Sequence, residues 1–417
     1  MSPENTPTSK FREPGTGGWL NLAPPEGGTD DERKFAANNK AKLHDMLLGS
    51  LQMQHLVVLA GSGCSLAAGG PSMGNLWDEV VRASPDHVAK ALDGVTPDDR
   101  SKEVAGATPD AVWQKVAGLV GHDIKNANIE ELLSRVEGFL DLWPNTNTDA
   151  EAFLVESKRR ILNACSGFLR DARLDAHQTF LHRLSRRRVR DQRLKVFTTN
   201  YDLCFERAAG DLGCVAVDGF SFSAPRRYDP RFFGYDIVRR PQHGDDMVNY
   251  LEGVFLLYKL HGSVNWARAA DGAITEQANP DPKEACLIYP AKGKYQRSFT
   301  QPHLESMAQY LAALREPNTC VLVVGFGFND DHLSEPLLAA AKSNPHMRLV
   351  IVDPAGEQKI AGDNAYWTQL GDLARRGGDT WFINAGFNEF ADLIPDLKSL
   401  TPADKLMHVV QRAARAQ

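Results

Sequence analysis

With 417 residues, 42% of them hydrophobic and 24% charged, the chain is long enough to bury one large core or two modest ones. A formal net charge of −6 excludes a global pull toward nucleic acid or anionic membrane, so any such contact would have to come from a local patch. No apolar run reaches the length of a membrane span, and "MSPENTPTSKFREPGTGGW" lacks the basic-then-apolar order of a signal peptide, so a cytoplasmic protein is expected. The six cysteines (Cys64, Cys165, Cys204, Cys214, Cys286 and Cys320) contain no CxxC pair and read as reduced, buried thiols.

Residues 1–29 are rich in Pro, Gly, Thr and Asn and are expected to form a flexible arm that orders only against a partner, with Trp19 and Leu20 as anchors. A helix follows, starting near Asp30 or Asp31 and burying Phe35, Leu43, Met46 and Leu47. It leads into a first strand at 55–60 and the loop "GSGCSLAAGGP". Residues 78–190 read as a helical insertion, in which Thr148 and Glu151 suggest a capping box. Phe153, Leu154, Ile161, Leu162, Cys165, Phe168 and Leu169 share one face there. Four further apolar runs, "LKVFTTN", "VFLLYKLHG", "TCVLVVGFG" and "MRLVIVD", have the β-branched character of strands buried on both faces, with helices near 301–315 and 331–343 between them. "TWFINAGFNEFADLI" closes the layer. The expected fold is α/β: a doubly wound, Rossmann-like parallel sheet over 30–395 carrying a helical insertion subdomain, followed by a helical tail over 396–417.

Chemistry concentrates at the strand ends. Gly61, Ser62 and Gly63 join a strand to a helix and let backbone N–H groups approach an anion such as a pyrophosphate. The third glycine of a dinucleotide fingerprint is absent, since Leu66 holds its place. Taken alone, a bare GxG is better explained by a tight strand-to-helix turn. The longer pattern "GSGCSLAAGGP" resembles the GAGxSxxxGxP loop of the sirtuin superfamily at Gly61, Gly63, Ser65, Gly69 and Pro71. "TTNYD" is similar to that family's TxNxD motif at Thr198, Asn200 and Asp202, and "LHGS" to its catalytic His-Gly at His261 and Gly262. "GFGFNDDHL", with Gly325 and Gly327, and "VIVDP", with Asp353, occupy the places of its later nucleotide-contacting strand ends, all in family order.

The resemblance implies that NAD is the substrate. Its nicotinamide–ribose bond breaks through an oxocarbenium-like state that needs acceptors near the ribose and a positioned nucleophile. Asn200 would hold the ribose and the attacking water, Asp202 the nicotinamide carboxamide, and His261 would act as general base. Asp353 would accept from the adenosine ribose. Ordinary turn, cap or packing roles remain open for each of these, and His55, His303 and His332 are expected to be structural. Phe326 and Trp77 are candidates to cover the nicotinamide end, with core packing the commoner role.

Departures from the family narrow the reading. Between 263 and 320 only Cys286 and Cys320 occur, too few for the zinc ribbon of protein-deacylating sirtuins, so no metal is expected and water replaces acyl-lysine as acceptor. Gly327 stands where the family has a phosphate-contacting Ser. The absent ribbon, the helical insertion, "NIEELLSRVE" and "GFGFNDDHL" together resemble the sirtuin-like NAD hydrolases of bacterial anti-phage defence, particularly the stand-alone subunit that forms a homo-oligomer paired with a HerA-type hexameric ATPase. About 30 residues follow the last strand, too few for a fused sensor domain, which again points to a separate partner. Two rival classes stay open. The basic run "HRLSRRRVRDQRLK" would suit a nucleic-acid-associated, even nucleolytic, subunit, and the fold alone would suit a non-catalytic NAD or ADP-ribose sensor.

Overall fold

A computed structural model describes residues 9–81, 109–188, 191–239, 249–289 and 300–396. Within them the apolar runs become strands of one sheet: β1 Lys10–Arg12, β2 Leu20–Asn21, β3 His55–Ala60, β4 Leu194–Thr198, β5 Val215–Val217, β6 Val254–Lys259, β7 Thr319–Val324, β8 Met347–Val352 and β9 Thr380–Asn384. Their order across the sheet is β2-β1-β9-β8-β7-β3-β4-β6-β5. All pairs from β9 to β5 are parallel, while β1 and β2 add an antiparallel edge. Alternation divides each strand between two cores: Leu56, Val58 and Ala60 of β3 face one helical layer, Val57 and Leu59 the other. This is the expected doubly wound α/β fold. The order reverses beside β3, the first of the parallel strands in the chain, so the ends of β3, β4, β6 and β7 open onto a switch-point crevice.

The N-terminal arm departs from expectation. Over Lys10–Asn21 it is built into the sheet: Phe11 is fully buried and pairs with Ile383 of β9, and Trp19 packs on the core. A short antiparallel hairpin of this kind covers what would otherwise be the bare β9 edge. The first helix, Asp30–Leu51, is capped by Thr29, whose side chain accepts from Glu32 N while the Glu32 carboxylate accepts from Thr29 N at 2.7 Å. Its buried face is Ala36, Asn39, Leu43, Met46 and Leu47, leaving the expected Phe35 59% exposed.

Helices Pro109–Leu119, Ile129–Leu142 and Thr148–Gly167 share an apolar cluster with Leu76 and Trp77. Trp77 meets Trp113 edge to face there, a packing role. The cap of Thr148–Gly167 is Asn147, whose side chain accepts from Ala150 N, one residue before the expected Thr148. Phe153, Ile161, Leu162 and Cys165 are buried as expected. Helix Asp175–Leu184, placed in the insertion by its sequence, instead packs Phe180 and Leu181 on Phe205 and Phe387 against the sheet. The expected tail lies outside the described residues from 397 onward.

Among the described residues, much of the basic run is absorbed by the fold. Arg183 donates to the carbonyls of Ala391, Asp392 and Ile394, ending helix Phe387–Leu393. Buried Arg187 donates to Leu51 O, Met53 O, Gln54 O and Gln192 O, and Arg188 and Arg193 pair with Asp191 and Asp236. Guanidiniums committed in this way make a poor phosphate track. Arg187→Ala would strand several buried carbonyls and is expected to cost roughly 3 kcal/mol in urea unfolding. Arg187→Lys should recover little of it, because one ammonium cannot span the guanidinium fork.

Candidate active site

The ends of β3, β4, β6 and β7 enclose a cleft lined by Gly61, Ser62, Ser65, Pro71, Asn200, Asp202, His261, Gly325, Phe326 and Gly327, joined by Glu130 and Cys165 from the helical insertion. Nine of the twelve predicted site residues therefore meet in one place. Gly63, Gly69 and Asp353 do not line it. The cavity volume is about 140 Å³, below the 300–1,000 Å³ of ordinary ligand pockets, so a dinucleotide would need the open rim or a wider state.

The bare loop at 61–63 has a structural cause. A Cβ on Gly61 would lie 2.5 Å from Gly325 O, one on Gly63 2.6 Å from Gly325 Cα, and one on Gly325 (φ +61) 2.5 Å from Cys64 N. Gly61 N donates to Val324 O and Gly63 N to Gly325 O. Two glycine loops thus interlock, and Gly63, expected to greet a phosphate, spends its amide and its open face on Gly325. With their N–H groups committed to Val324 O and Gly325 O, neither Gly61 nor Gly63 can offer its amide to an anion.

Asn200 follows β4 and is tied down. Its amide nitrogen donates to Gly61 O at 3.0 Å and to Ser65 Oγ at 2.9 Å; Ser65 Oγ donates in turn to Asp202 Oδ2 at 2.7 Å, and Asp202 Oδ1 accepts from Cys204 N. With both amide protons committed, the group Asn200 can offer a ligand is its carbonyl oxygen. Burial and the neighbouring Asp202 carboxylate push the Cys204 thiol up, and burial pushes Cys165 up to about 12, so neither is a nucleophile.

His261 is set by the backbone. Leu260 N donates to Thr198 O, Ile288 N donates to His261 O, and Gly262 takes φ +83 where a Cβ would sit 2.1 Å from Cys286 O. The ring's Nε2 lies 3.2 Å from His332 Nε2. His332 was expected to be structural, yet it stands beside the candidate base at the start of helix Asp331–Ser343. His303 fits the structural expectation: it is buried against Leu260 O and Cys286, and burial lowers it to about 4. Asp353 sits on the far side of the switch point, its carboxylate held by Lys359 Nζ at 2.5 Å and by Ala355 N at 2.8 Å.

One determinant escaped the sequence reading. Lys259, only 2% exposed at the end of an otherwise apolar strand, donates to Asp202 O, Tyr201 O and Glu206 Oε1 and so clamps the loop that carries Asn200. Burial raises the Glu206 carboxyl and Lys259 opposes it. A lysine ending "VFLLYK" was the available signal. Lys259→Met is expected to destabilise by about 2–3 kcal/mol, below the value for a wholly buried pair because Glu206 is partly exposed; chemical denaturation checks this.

Residues 262–287 form a three-stranded antiparallel sheet, Gly262–Arg268 flanked by Ile274–Glu276 and Ala285–Leu287. Phe220, Trp266, Ile274 and Cys286 give it an apolar core of its own. Cys286 and Cys320 lie in different sheets, and all six cysteines are free.

Residues 194–371, starting at β4, match the family model described as SIR2-like domain. No curated protein matches. Among solved structures, a Sir2 homologue–NAD complex is 14% identical over 84% of this chain and 91% of its own (TM-score 0.38). A point mutant of a Sir2 homologue with ADP-ribose is 15% identical over 84% and 94% (TM-score 0.37).

Proposed function

We propose that this chain hydrolyses NAD+ at the nicotinamide–ribose bond, releasing nicotinamide and ADP-ribose. The observation that carries the reading is the convergence of His261 with the Asn200–Ser65–Asp202 network at the switch point of a parallel sheet. As the bond breaks, positive charge grows on the ribose. The Asn200 carbonyl oxygen and the Asp202 carboxylate then face the sugar and the departing carboxamide, while His261 takes a proton from the attacking water or a ribose hydroxyl. The missing four-thiolate site favours water over an acylated peptide as acceptor.

By sequence resemblance the cellular role we propose is anti-phage defence through NAD depletion, exerted by a homo-oligomer working with a HerA-type ATPase. Mass spectrometry of NAD-derived products from the full chain, alone and mixed with such a partner, tests the activity. Nicotinamide and ADP-ribose in equal amounts are expected. NAD binding without products in either mixture would favour a sensor instead. No helix of the described residues is long and apolar enough to cross a membrane.

A further inference from the structure

We propose that His261, Asp330 and His332 form a binding site for a divalent transition metal, Zn2+ by ligand type, and that an occupied site takes His261 out of the reaction. The inhibitory consequence rests on the NAD-cleavage reading; the binding site itself rests on geometry alone.

Zinc bound tetrahedrally at about 2.0–2.1 Å from two imidazole nitrogens sets those nitrogens roughly 3.3–3.4 Å apart. The two Nε2 atoms stand 3.2 Å apart, and one ligand atom from each of the three residues lies within 4.8 Å of the others. Both histidines are buried and Asp330 is half-buried, an arrangement that restricts competing water. The residues come from two rigid supports: His261 from the backbone-locked end of β6, and Asp330 and His332 from the N-cap and first turn of helix Asp331–Ser343.

Two histidines and one carboxylate are a ligand set of catalytic zinc and of other divalent transition metals, with a fourth position left open. His261 and Asp330 line the cleft, so that position faces the cleft too. The imidazole lone pair that binds metal is the one a general base uses, and it cannot do both. In metal-free protein the same pair makes an N–H···N hydrogen bond, and metal replaces that proton bridge.

The test uses the full chain stripped with chelator and equilibrated by dialysis against ZnCl2, with bound metal counted by plasma mass spectrometry and Co2+ substitution followed by visible absorption. One metal per chain is expected. His332→Ala and Asp330→Ala should bind at least 10-fold more weakly. His332→Cys, which restores a zinc ligand, should recover binding, and His346→Ala on the exposed surface should change nothing. Circular dichroism confirms that each variant is folded. Absence of bound zinc, or zinc retained unchanged in folded His332→Ala and Asp330→Ala, would overturn the site. Nicotinamide release is then compared with zinc and with chelator: at least 10-fold suppression by zinc is expected in the native chain, and stimulation by zinc would overturn the inhibitory role. A chain that binds zinc through these residues but never releases nicotinamide keeps the site and removes the NAD-cleavage reading.

Discussion

Asn200→Ala and His261→Ala are each expected to reduce nicotinamide release at least 100-fold, about 2.7 kcal/mol of transition-state stabilisation. The two losses have different causes. Removing the imidazole removes the proton acceptor and leaves the Asn200–Ser65–Asp202 network whole, so NAD should still bind to His261→Ala. Removing the amide takes away the carbonyl oxygen proposed to face the ribose and frees Ser65 Oγ and Gly61 O, so binding should weaken as well as turnover. Asn200→Asp should be as inactive as the alanine variant, because a carboxylate cannot donate to Gly61 O and sets a second negative charge near Asp202. Groups that act on one step are not additive, and the double variant should be little worse than either single one. Rates measured with saturating NAD, together with calorimetric binding, separate the cases. Wild-type turnover in both alanine variants would refute the assignment.

The strands were legible because a strand buried on both faces needs a continuous β-branched run, and 55–60, 194–200, 254–262, 319–327 and 347–353 each carry one. Val215–Val217 and the pair Lys10–Arg12 and Leu20–Asn21 were not, since two or three residues leave no period to read. The arm's Gly- and Pro-rich composition hid one decisive residue, Phe11, whose burial depends on the β9 edge more than 360 positions away. In the site, Asn200 and His261 announced themselves through strand-end motifs. His332 did not, because its proximity to His261 spans 71 positions and depends on where a helix begins. Gly61 and Gly63 were legible as a bare loop, but the reason for their bareness lies in Gly325, which no local pattern connects to them. The arginines of 183–193 show the converse: charge density was plain, and its use as carbonyl clamps depended on which chain ends lay within reach.

Gly262→Ala is expected to destabilise the protein by roughly 3–5 kcal/mol and to lower nicotinamide release by about 100-fold in whatever fraction still folds. Two costs combine. The backbone at φ +83 disfavours any Cβ, and the Cβ built there overlaps Cys286 O at 2.1 Å. Relief must come from the 286–288 segment, since its Ile288 N donates to His261 O; moving that strand moves the candidate base. Gly377→Ala separates strain from overlap. It has φ +89 but nothing within 4 Å of the added methyl, so it should cost only about 1–2 kcal/mol and leave turnover intact. Gly61→Ala, blocked by Gly325 O at 2.5 Å, should behave like Gly262→Ala, because it forces apart the interlocked loops on which Asn200 is anchored. Urea unfolding and single-turnover rates on the same preparations decide the matter. If Gly262→Ala lost stability yet kept its rate, His261 would not owe its position to this turn, and the link from glycine to imidazole to proton transfer would be broken.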